Sequence, residues 1–240
     1  MEKIKNRYHL EILAEIKRVA PAKKIPPRVL GTPHPCYSLS NPQKRKLVSV
    51  WYKVHRDISV KEFVYLLDSL YRGKSYDEKT LAGILLETGR FHLEIKPKKV
   101  GEWLNFLEGW AEIDTTCQSS FSPKELLGRW SKWKSLLEEL VKDKNIHKRR
   151  ASLVLLTKSV RESADSRLAK IAFANIEKLK SEKEVLITKA VSWLLRSLIK
   201  HHKKEVAAYL KKNQTSLPKI ALRKTLNKLK TGKKSLRIKR

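Results

Sequence analysis

The stretch LEGWAEIDTTCQ at 107–118 places Trp110 and Asp114 four residues apart in a strongly basic chain. In a helix, two side chains at this spacing lie on one face, about one turn apart. Asp114 is therefore either a negative charge kept for function inside a positive surface, or a cap for the next turn through Thr115 and Thr116. In the second interpretation Trp110 is an ordinary core residue, and the spacing alone favours it.

The predicted position of Asp114 in its helix bears on this choice. Apolar periodicity predicts a helix over about 99–113, which would place Asp114 near the C-terminal end. The helix macrodipole disfavours an acidic group there by about 0.3 to 1 kcal/mol. We therefore expect some other interaction to justify this carboxylate.

Two further clusters combine cations with apolar helices. In the segment 148–161, Arg149, Arg150, Lys158 and Arg161 punctuate an apolar helix. The last three keep near-helical spacing, which would suit a row of phosphate clamps, although a solvated face is the alternative in so basic a chain. In the segment 186–204, Lys189, Trp193 and Arg196 share one face. A tryptophan between two cations could be a platform for a base or a sugar, but tryptophan in an apolar helix is more often core.

The overall composition favours a polyanionic partner. The 240 residues include 54 Lys and Arg against 24 Asp and Glu, a formal charge of +30, and 41% hydrophobic residues, enough for a packed core. Counterion release from a nucleic acid would give strong, salt-dependent binding. We see neither a secretory signal nor an apolar span of about 20 residues, so a cytoplasmic protein without a membrane partner is expected. Cys36 and Cys117 do not complete a zinc site, and no metal or cofactor is expected.

Cap signals and apolar periodicity predict about eleven helices and no sheet. After an N-terminal helix, the predicted ranges are 42–56, 59–72, 76–90, 99–113, 123–142, 146–161, 164–179, 182–201, 203–211 and 216–229. The start signals are Asn41-Pro42, Ser59…Glu62, Ser75…Glu78, Ser122-Pro123 and Ser181…Glu184. The run FHLEIKP at 91–97 alternates like a strand, but it stands alone and ends in proline, so we interpret it as a connection.

Successive helix pairs joined by short turns favour an all-α fold, an α-solenoid of HEAT-like antiparallel helix pairs with a concave basic groove. One repeat domain is predicted over 1–230. Residues 21–41 form an irregular proline-rich segment, which could be a linker or a loop that reaches toward a ligand. Residues 231–240 form a mobile basic tail. A groove about the width of a duplex would suit nucleic-acid binding dominated by the backbone.

Three stretches, 110-WAEID-114, 149-RRASLVL-155 and 188-TKAVSWLLR-196, occur in this order. Together they resemble the AlkD-type DNA alkylation repair glycosylases. Trp110 and Asp114 match a W-x-x-x-D motif of that family, Arg150 begins a helix similar to its RAAIL segment, and 189–196 is similar to its QKAIGW-LRE segment. The early stretch at 38–47 is also similar, so that the resemblance spans about 38–225.

The resemblance implies a HEAT-like α-solenoid that binds duplex DNA and releases cationic N3- and N7-alkylated purines without flipping the base into a pocket, unlike most glycosylases. It implies that Asp114 is the catalytic carboxylate, that Trp110 and Trp193 contact the deoxyribose of the lesion and the adjacent backbone, and that Arg150 contacts the backbone nearby. The further DNA-binding candidates are Arg149, Lys158, Arg161, Lys189 and Arg196.

The implied activity is that of a monofunctional, metal-free N-glycosylase of base excision repair, acting as a monomer near the nucleoid. The chemistry suits the residue types. An alkylated purine is already a cationic leaving group, and a carboxylate near the anomeric carbon would stabilise the oxocarbenium-like sugar and orient water.

The sequence departs from the family pattern in several places. Gly109 stands where members often have a second tryptophan, Ser192 replaces a glycine, and Ser197 replaces a glutamate. The stretch from Pro21 to Tyr37 has no counterpart. A noncatalytic HEAT-like module that binds structured DNA or RNA by shape and charge is the alternative, and a protein scaffold is a third.

Overall fold

The computed structural model describes residues 6–88, 91, 93–119 and 121–233. Every regular element within these ranges is helical: there are fourteen α-helices and one short 3₁₀ turn, and no strand. The predicted all-α class is therefore confirmed, and in its described part the run at 91–97 is a connection, as predicted. The chain divides into two compact units, Met1–Ser120 and Phe121–Arg240. No described helix combines the length and the apolar character needed to span a membrane.

The first unit is built on a row of three helices. Its elements are α1 (Arg7–Val19), α2 (Pro27–Leu30), α3 (Asn41–Val54), α4 (Val60–Tyr71), α5 (Tyr76–Glu87), α6 (Pro97–Trp103) and α7 (Gly109–Ser119). Helix α5 packs against both α3 and α7, while α4 packs against α1 and α5. Phe63, Leu67, Leu85 and Trp103 are buried in the resulting core.

The second unit repeats this arrangement. Its elements are α8 (Pro123–Gly128), α9 (Trp130–Leu140), α10 (Ile146–Glu162), α11 (Ser166–Leu179), α12 (Val185–Leu198), α13 (Lys203–Lys212) and α14 (Lys219–Thr231). Helix α12 packs against both α10 and α14, α11 packs against α10 and α12, and α13 packs against α12 and α14. Contacts of each helix with its next and next-but-one neighbours are typical of stacked helix pairs, as the solenoid prediction requires.

Most predicted helix starts are confirmed. Ser59 and Ser75 form complete capping boxes, and the Ser122 hydroxyl accepts a hydrogen bond from the backbone N–H of Glu125. The start near Asn41 is displaced by one residue, because Ser40 is the cap and pairs with Gln43. The start at Ser181…Glu184 is wrong. Helix α12 begins after Glu184, and no side chain caps its first turn.

The predicted helix over 99–113 is also wrong. Helix α6 ends at Trp103, a 3₁₀ turn covers Leu104–Phe106, and α7 begins at Gly109, whose φ of 79° no right-handed helix can pass through. Asp114 consequently lies in the middle of α7, so the macrodipole argument does not apply to it. The predicted helix over 123–142 is divided in the same way, at Arg129, into α8 and α9.

The proline-rich segment, residues 21–41, contains the short helix α2 and is otherwise irregular up to the start of α3. Its C-terminal part is fixed by the buried carboxylate of Asp77, which accepts hydrogen bonds from the backbone N–H groups of Tyr37 (2.6 Å), Ser38 (3.2 Å) and Leu39 (3.2 Å). The buried Lys44 ammonium lies 3.0 Å from the same carboxylate. The C-terminal part of the proline-rich segment is therefore hydrogen-bonded into the first unit. Residues 234–240 of the predicted basic tail lie outside the described residues.

Candidate functional site

Trp110 and Asp114 lie one turn apart on α7. The Trp110 side chain is 43% exposed, and Asp114 is half-buried. Trp110 is thus not a core residue, and the interpretation that made it one is wrong. The cap interpretation of Asp114 is wrong as well, because α7 continues to Ser119 and the Thr115 hydroxyl donates within the helix to the carbonyl of Ala111 (2.8 Å). An aromatic ring and a carboxylate remain together at the surface.

Helix α5 holds the turn of α7 that carries Asp114. A Cβ added at Gly83 of α5 would lie 3.2 Å from the backbone of Thr115 and of Thr116, so the two helices approach closely at that glycine. The Tyr71 hydroxyl donates to the Thr116 hydroxyl at 3.4 Å, and burial raises the pKa of Tyr71 well above its usual range. The backbone next to Asp114 is therefore packed against α5, and Thr116 is hydrogen-bonded to Tyr71 of α4.

The buried acidic residue of the WAEID motif is Glu112. One carboxylate oxygen accepts the backbone N–H of Glu108 (2.9 Å), ahead of the first turn of α7. The other accepts the Thr32 hydroxyl (2.5 Å) and lies 2.9 Å from Nδ1 of His34. A carboxylate at a helix N-terminus is favourable, so that Glu112 stabilises α7 and ties it to the proline-rich segment. The sequence signal was an acid in the first turn, but the predicted helix began too early to reveal it.

The proline-rich segment crosses the start of α7 at a pair of glycines. Gly31 and Gly109 both have positive φ, 64° and 79°. A Cβ at Gly109 would lie 1.5 Å from the carbonyl oxygen of Gly31, and a Cβ at Gly31 would lie 2.5 Å from Cδ1 and 2.6 Å from Nε1 of Trp110. Gly31 therefore packs directly against the edge of the indole. The absence of a side chain at Gly109 leaves room for this crossing.

In the second unit, α10, α12 and α14 line a basic cleft of about 730 Å³. Its cationic lining residues are Arg150, Arg161, Lys189, Arg196, Lys224 and Lys228. Trp193 also lines the basic cleft, and no acidic residue does so among those described. The structure thus brings together Trp193 and four of the predicted phosphate contacts, and adds Lys224 and Lys228. Sequence analysis missed these two, although their i, i+4 spacing on one helix was visible.

Neighbouring groups orient the two innermost arginines of the basic cleft. Arg150 is only 4% exposed, and its Nη1 donates to the carbonyl of Leu186 at 2.5 Å. Arg196 is 9% exposed, and its Nη1 donates to the hydroxyl of Ser192. Burial lowers the pKa of Arg196. Ser192 therefore helps to fix this guanidinium.

Positive charges in the basic cleft act on one another. Burial lowers the pKa of Lys228, and the nearby positive charges of Arg196 and Arg161 lower it further. The Lys228 ammonium donates to the carbonyl of Arg196 at 2.9 Å. Like charges gathered without a lining carboxylate among the described residues create a strong local potential for anions. The basic cleft can therefore bind phosphate groups.

The two other predicted contacts, Arg149 and Lys158, are not in the basic cleft. The guanidinium of Arg149 makes two bonds, of 2.8 and 3.1 Å, to the carboxylate of Glu182. Its remaining nitrogen donates to the carbonyls of Asp143 and Lys144. Lys158 is half-buried on α10. The contacts of Arg149 give it a structural role, which leaves Arg150 as the arginine of this pair that faces the basic cleft.

Within the described ranges, no three His, Cys, Asp or Glu side chains are grouped so that they could hold a metal ion.

Comparison with known proteins identifies a family and a similar solved structure. The family model described as "DNA alkylation repair enzyme" matches residues 9–229. A solved structure, described as a predicted DNA alkylation repair enzyme from Enterococcus faecalis, superposes with a TM-score of 0.66 at 15% sequence identity, covering 92% of this chain and 94% of that one. At this identity the likeness shows a shared fold. No curated protein matches.

Proposed function

Because the chain belongs to the DNA alkylation repair enzyme family, we propose that it is a glycosylase that hydrolyses the N-glycosidic bond of cationic N3- and N7-alkylated purines in double-stranded DNA. The main support is the outer face of α7, where the exposed Trp110 and the carboxylate of Asp114 lie one turn apart. The basic cleft of the second unit adds a surface suited to the DNA backbone.

The proposed reaction begins with departure of the base. An alkylated purine carries a positive charge, so the electron pair of the broken bond between the sugar C1′ and the purine nitrogen neutralises it, and no general acid is needed. The sugar left behind is oxocarbenium-like. Asp114 stabilises this charge and orients a water molecule, whose oxygen bonds to C1′ while its proton passes to the carboxylate and then to solvent.

The aromatic residues supplement this carboxylate. The face of an indole carries a negative quadrupole, which attracts a cation. We assign Trp110 to the cationic sugar and base, and Trp193 to the backbone next to the lesion, because Trp193 is flanked by Lys189 and Arg196 in the basic cleft. Neither role requires the base to enter an enclosed pocket.

A metal-free, monofunctional hydrolysis is proposed because the leaving group is already activated and because the two buried lysines of the first unit are engaged elsewhere. Burial lowers the pKa of both Lys44 and Lys79. However, the Lys44 ammonium is held by Asp77 and Thr80. The Lys79 ammonium donates to two backbone carbonyls. These lysines are therefore structural, and a Schiff-base lyase step is not part of the proposal.

The test is release of free base from a duplex that contains N7-methylguanine, measured for wild type and for Asp114→Asn. We expect the substitution to lower the single-turnover rate by about 10² to 10³, the usual effect of removing one group that stabilises the transition state. Asp57→Asn, in an exposed turn after α3, makes the same chemical change elsewhere and is expected to leave the rate unchanged.

Equal rates for wild type and Asp114→Asn would refute the proposed mechanism. Salt-sensitive binding by a wild type that releases no base would favour the noncatalytic nucleic-acid module instead.

A further inference from the structure

The proline-rich segment has a surface that the proposed chemistry does not use. Lys23, Lys24 and Arg28 are all exposed. Two apolar residues next to these cations in sequence are exposed as well: Ile25 is 42% exposed and Val29 is 61% exposed. These side chains are not packed against the rest of the first unit, so both the cations and the apolar groups are accessible to a partner.

This surface lies beside Trp110. Helix α2, which carries Arg28 and Val29, packs against α7. Gly31, only two residues after Val29, contacts the edge of the Trp110 indole. The exposed side chains of α2 therefore flank the aromatic residue that we assign to the lesion.

The surface is also held in place. The backbone N–H of Ile25 donates to the Ser38 hydroxyl at 2.7 Å, which joins the two ends of the proline-rich segment. Glu112 binds Thr32 and His34 in its middle, and Asp77 binds three backbone N–H groups near its end. Because the segment is already ordered in the free protein, a partner that binds it does not have to order it, and the entropic cost of binding is lower.

The charge of the residues between Glu15 and Asp57 indicates which kind of partner this surface binds. No acidic residue occurs between Glu15 and Asp57, while ten Lys and Arg do. Within the described part of the chain, Lys23 and Arg28 form no ion pair, whereas the Lys24 ammonium is directed at the carbonyl of Tyr37. A chain of phosphates is the ligand that matches this distribution.

We propose that the proline-rich segment is a second contact element for duplex DNA. Lys23 and Arg28 bind backbone phosphates, and Val29 lies against the sugars of the groove next to the nucleotide that Trp110 contacts. Proteins that bind in the minor groove also combine cationic side chains with apolar ones at the same surface. The assignment of that nucleotide as the damaged one rests on the proposed function, but the contact with duplex DNA does not.

The test uses the full chain and an undamaged duplex, with affinity measured as a function of salt. For the double variant Lys23→Ala/Arg28→Ala we expect the slope of log K against log salt to fall in magnitude by about 0.9 for each phosphate that the protein no longer binds, which at 0.1 M salt is roughly eightfold in Kd per phosphate. The matched control, Lys61→Ala/Lys211→Ala, removes two exposed cations from α4 and α13 and is expected to change Kd less than about twofold.

The inference is overturned if the two double variants weaken binding equally, since the effect would then be one of net charge alone. It is overturned as well if Lys23→Ala/Arg28→Ala binds the duplex like wild type, or loses affinity for single-stranded RNA only. Thermal unfolding of each variant checks that the fold is intact, which is expected because all four side chains are exposed.

Base release, measured in parallel on a duplex with N7-methylguanine, separates this inference from the proposed function. If wild type releases no base and Lys23→Ala/Arg28→Ala still binds more weakly, the glycosylase proposal fails and the contact element stands. If wild type releases base and Lys23→Ala/Arg28→Ala matches it in both affinity and rate, the contact element fails alone.

Discussion

The carbonyl oxygen of Gly31 occupies the space into which any side chain at Gly109 would project, 1.5 Å from the position of its Cβ. Gly109→Ala should therefore push the proline-rich segment away from α7 and also strain a backbone with φ of 79°. We expect a loss of at least about 2 kcal/mol in the free energy of unfolding, from the clash and the strain together. Urea unfolding measures this loss, and base release should fall with it as Trp110 loses its support.

Gly128→Ala is the matched control for that substitution. Gly128 ends α8, and no atom lies within 4 Å of the position that its Cβ would take. Alanine there is expected to be neutral or to stabilise by up to about 1 kcal/mol, because it restricts the unfolded chain. If both substitutions destabilised the protein to the same degree, the Gly31–Gly109 crossing would not be the cause.

Trp110→Ala should separate activity from stability. Because the indole is 43% exposed, we expect its removal to cost less than about 1.5 kcal/mol of stability but to lower the rate of base release at least about tenfold. Trp103→Ala, which removes a buried indole from the core, is expected to cost about 3 to 5 kcal/mol. An unchanged rate in Trp110→Ala would remove this residue from the proposed site.

Lys228 predicts a pH dependence for DNA binding. Burial, Arg196 and Arg161 lower the pKa of its ammonium in the free protein, whereas a bound phosphate would raise it. Binding should therefore take up a proton, and affinity should fall as the pH rises through the lowered pKa of Lys228. Kd measured from pH about 7.5 to about 10 should rise more steeply for wild type than for Lys228→Arg, because arginine stays charged throughout.

The contribution of Lys228 to folding stability has the opposite pH dependence. A lysine whose pKa is lower in the folded than in the unfolded chain binds fewer protons when folded, so its contribution to stability rises as the pH increases between those two pKa values. Lys228→Arg would lack this rise in thermal unfolding. Parallel pH profiles of the two proteins, for both binding and unfolding, would contradict the assignment of Lys228 to the basic cleft.

The sequence predicted the helices well where local signals decide them. Ser59 and Ser75 carry their capping partners three residues along, so these starts could be predicted without tertiary information. The break before Gly109 could not. A glycine inside a helical pattern costs only about 1 kcal/mol, and apolar periodicity runs through it, so that the crossing by Gly31, which lies far away in sequence, decides the conformation.

The candidate site likewise has some residues that the sequence could predict and others that it could not. Trp110 and Asp114 could be paired from their spacing, because both lie on one helix. Among 54 cations, however, sequence offers no contrast between those that bind a partner and those that hold the fold. Arg149 was therefore chosen although it is bound to Glu182, and Lys228 was overlooked although it lines the basic cleft.

The glycine pair also constrains how this chain can vary among relatives. A tryptophan at position 109, which the resemblance in the sequence analysis led us to expect, would occupy the place of the Gly31 carbonyl. A tryptophan at position 109 and the observed crossing of the proline-rich segment are therefore mutually exclusive. Any side chain at position 109 would require the backbone at position 31 to move, so a chain that carries one must lead this segment past the start of α7 along a different path.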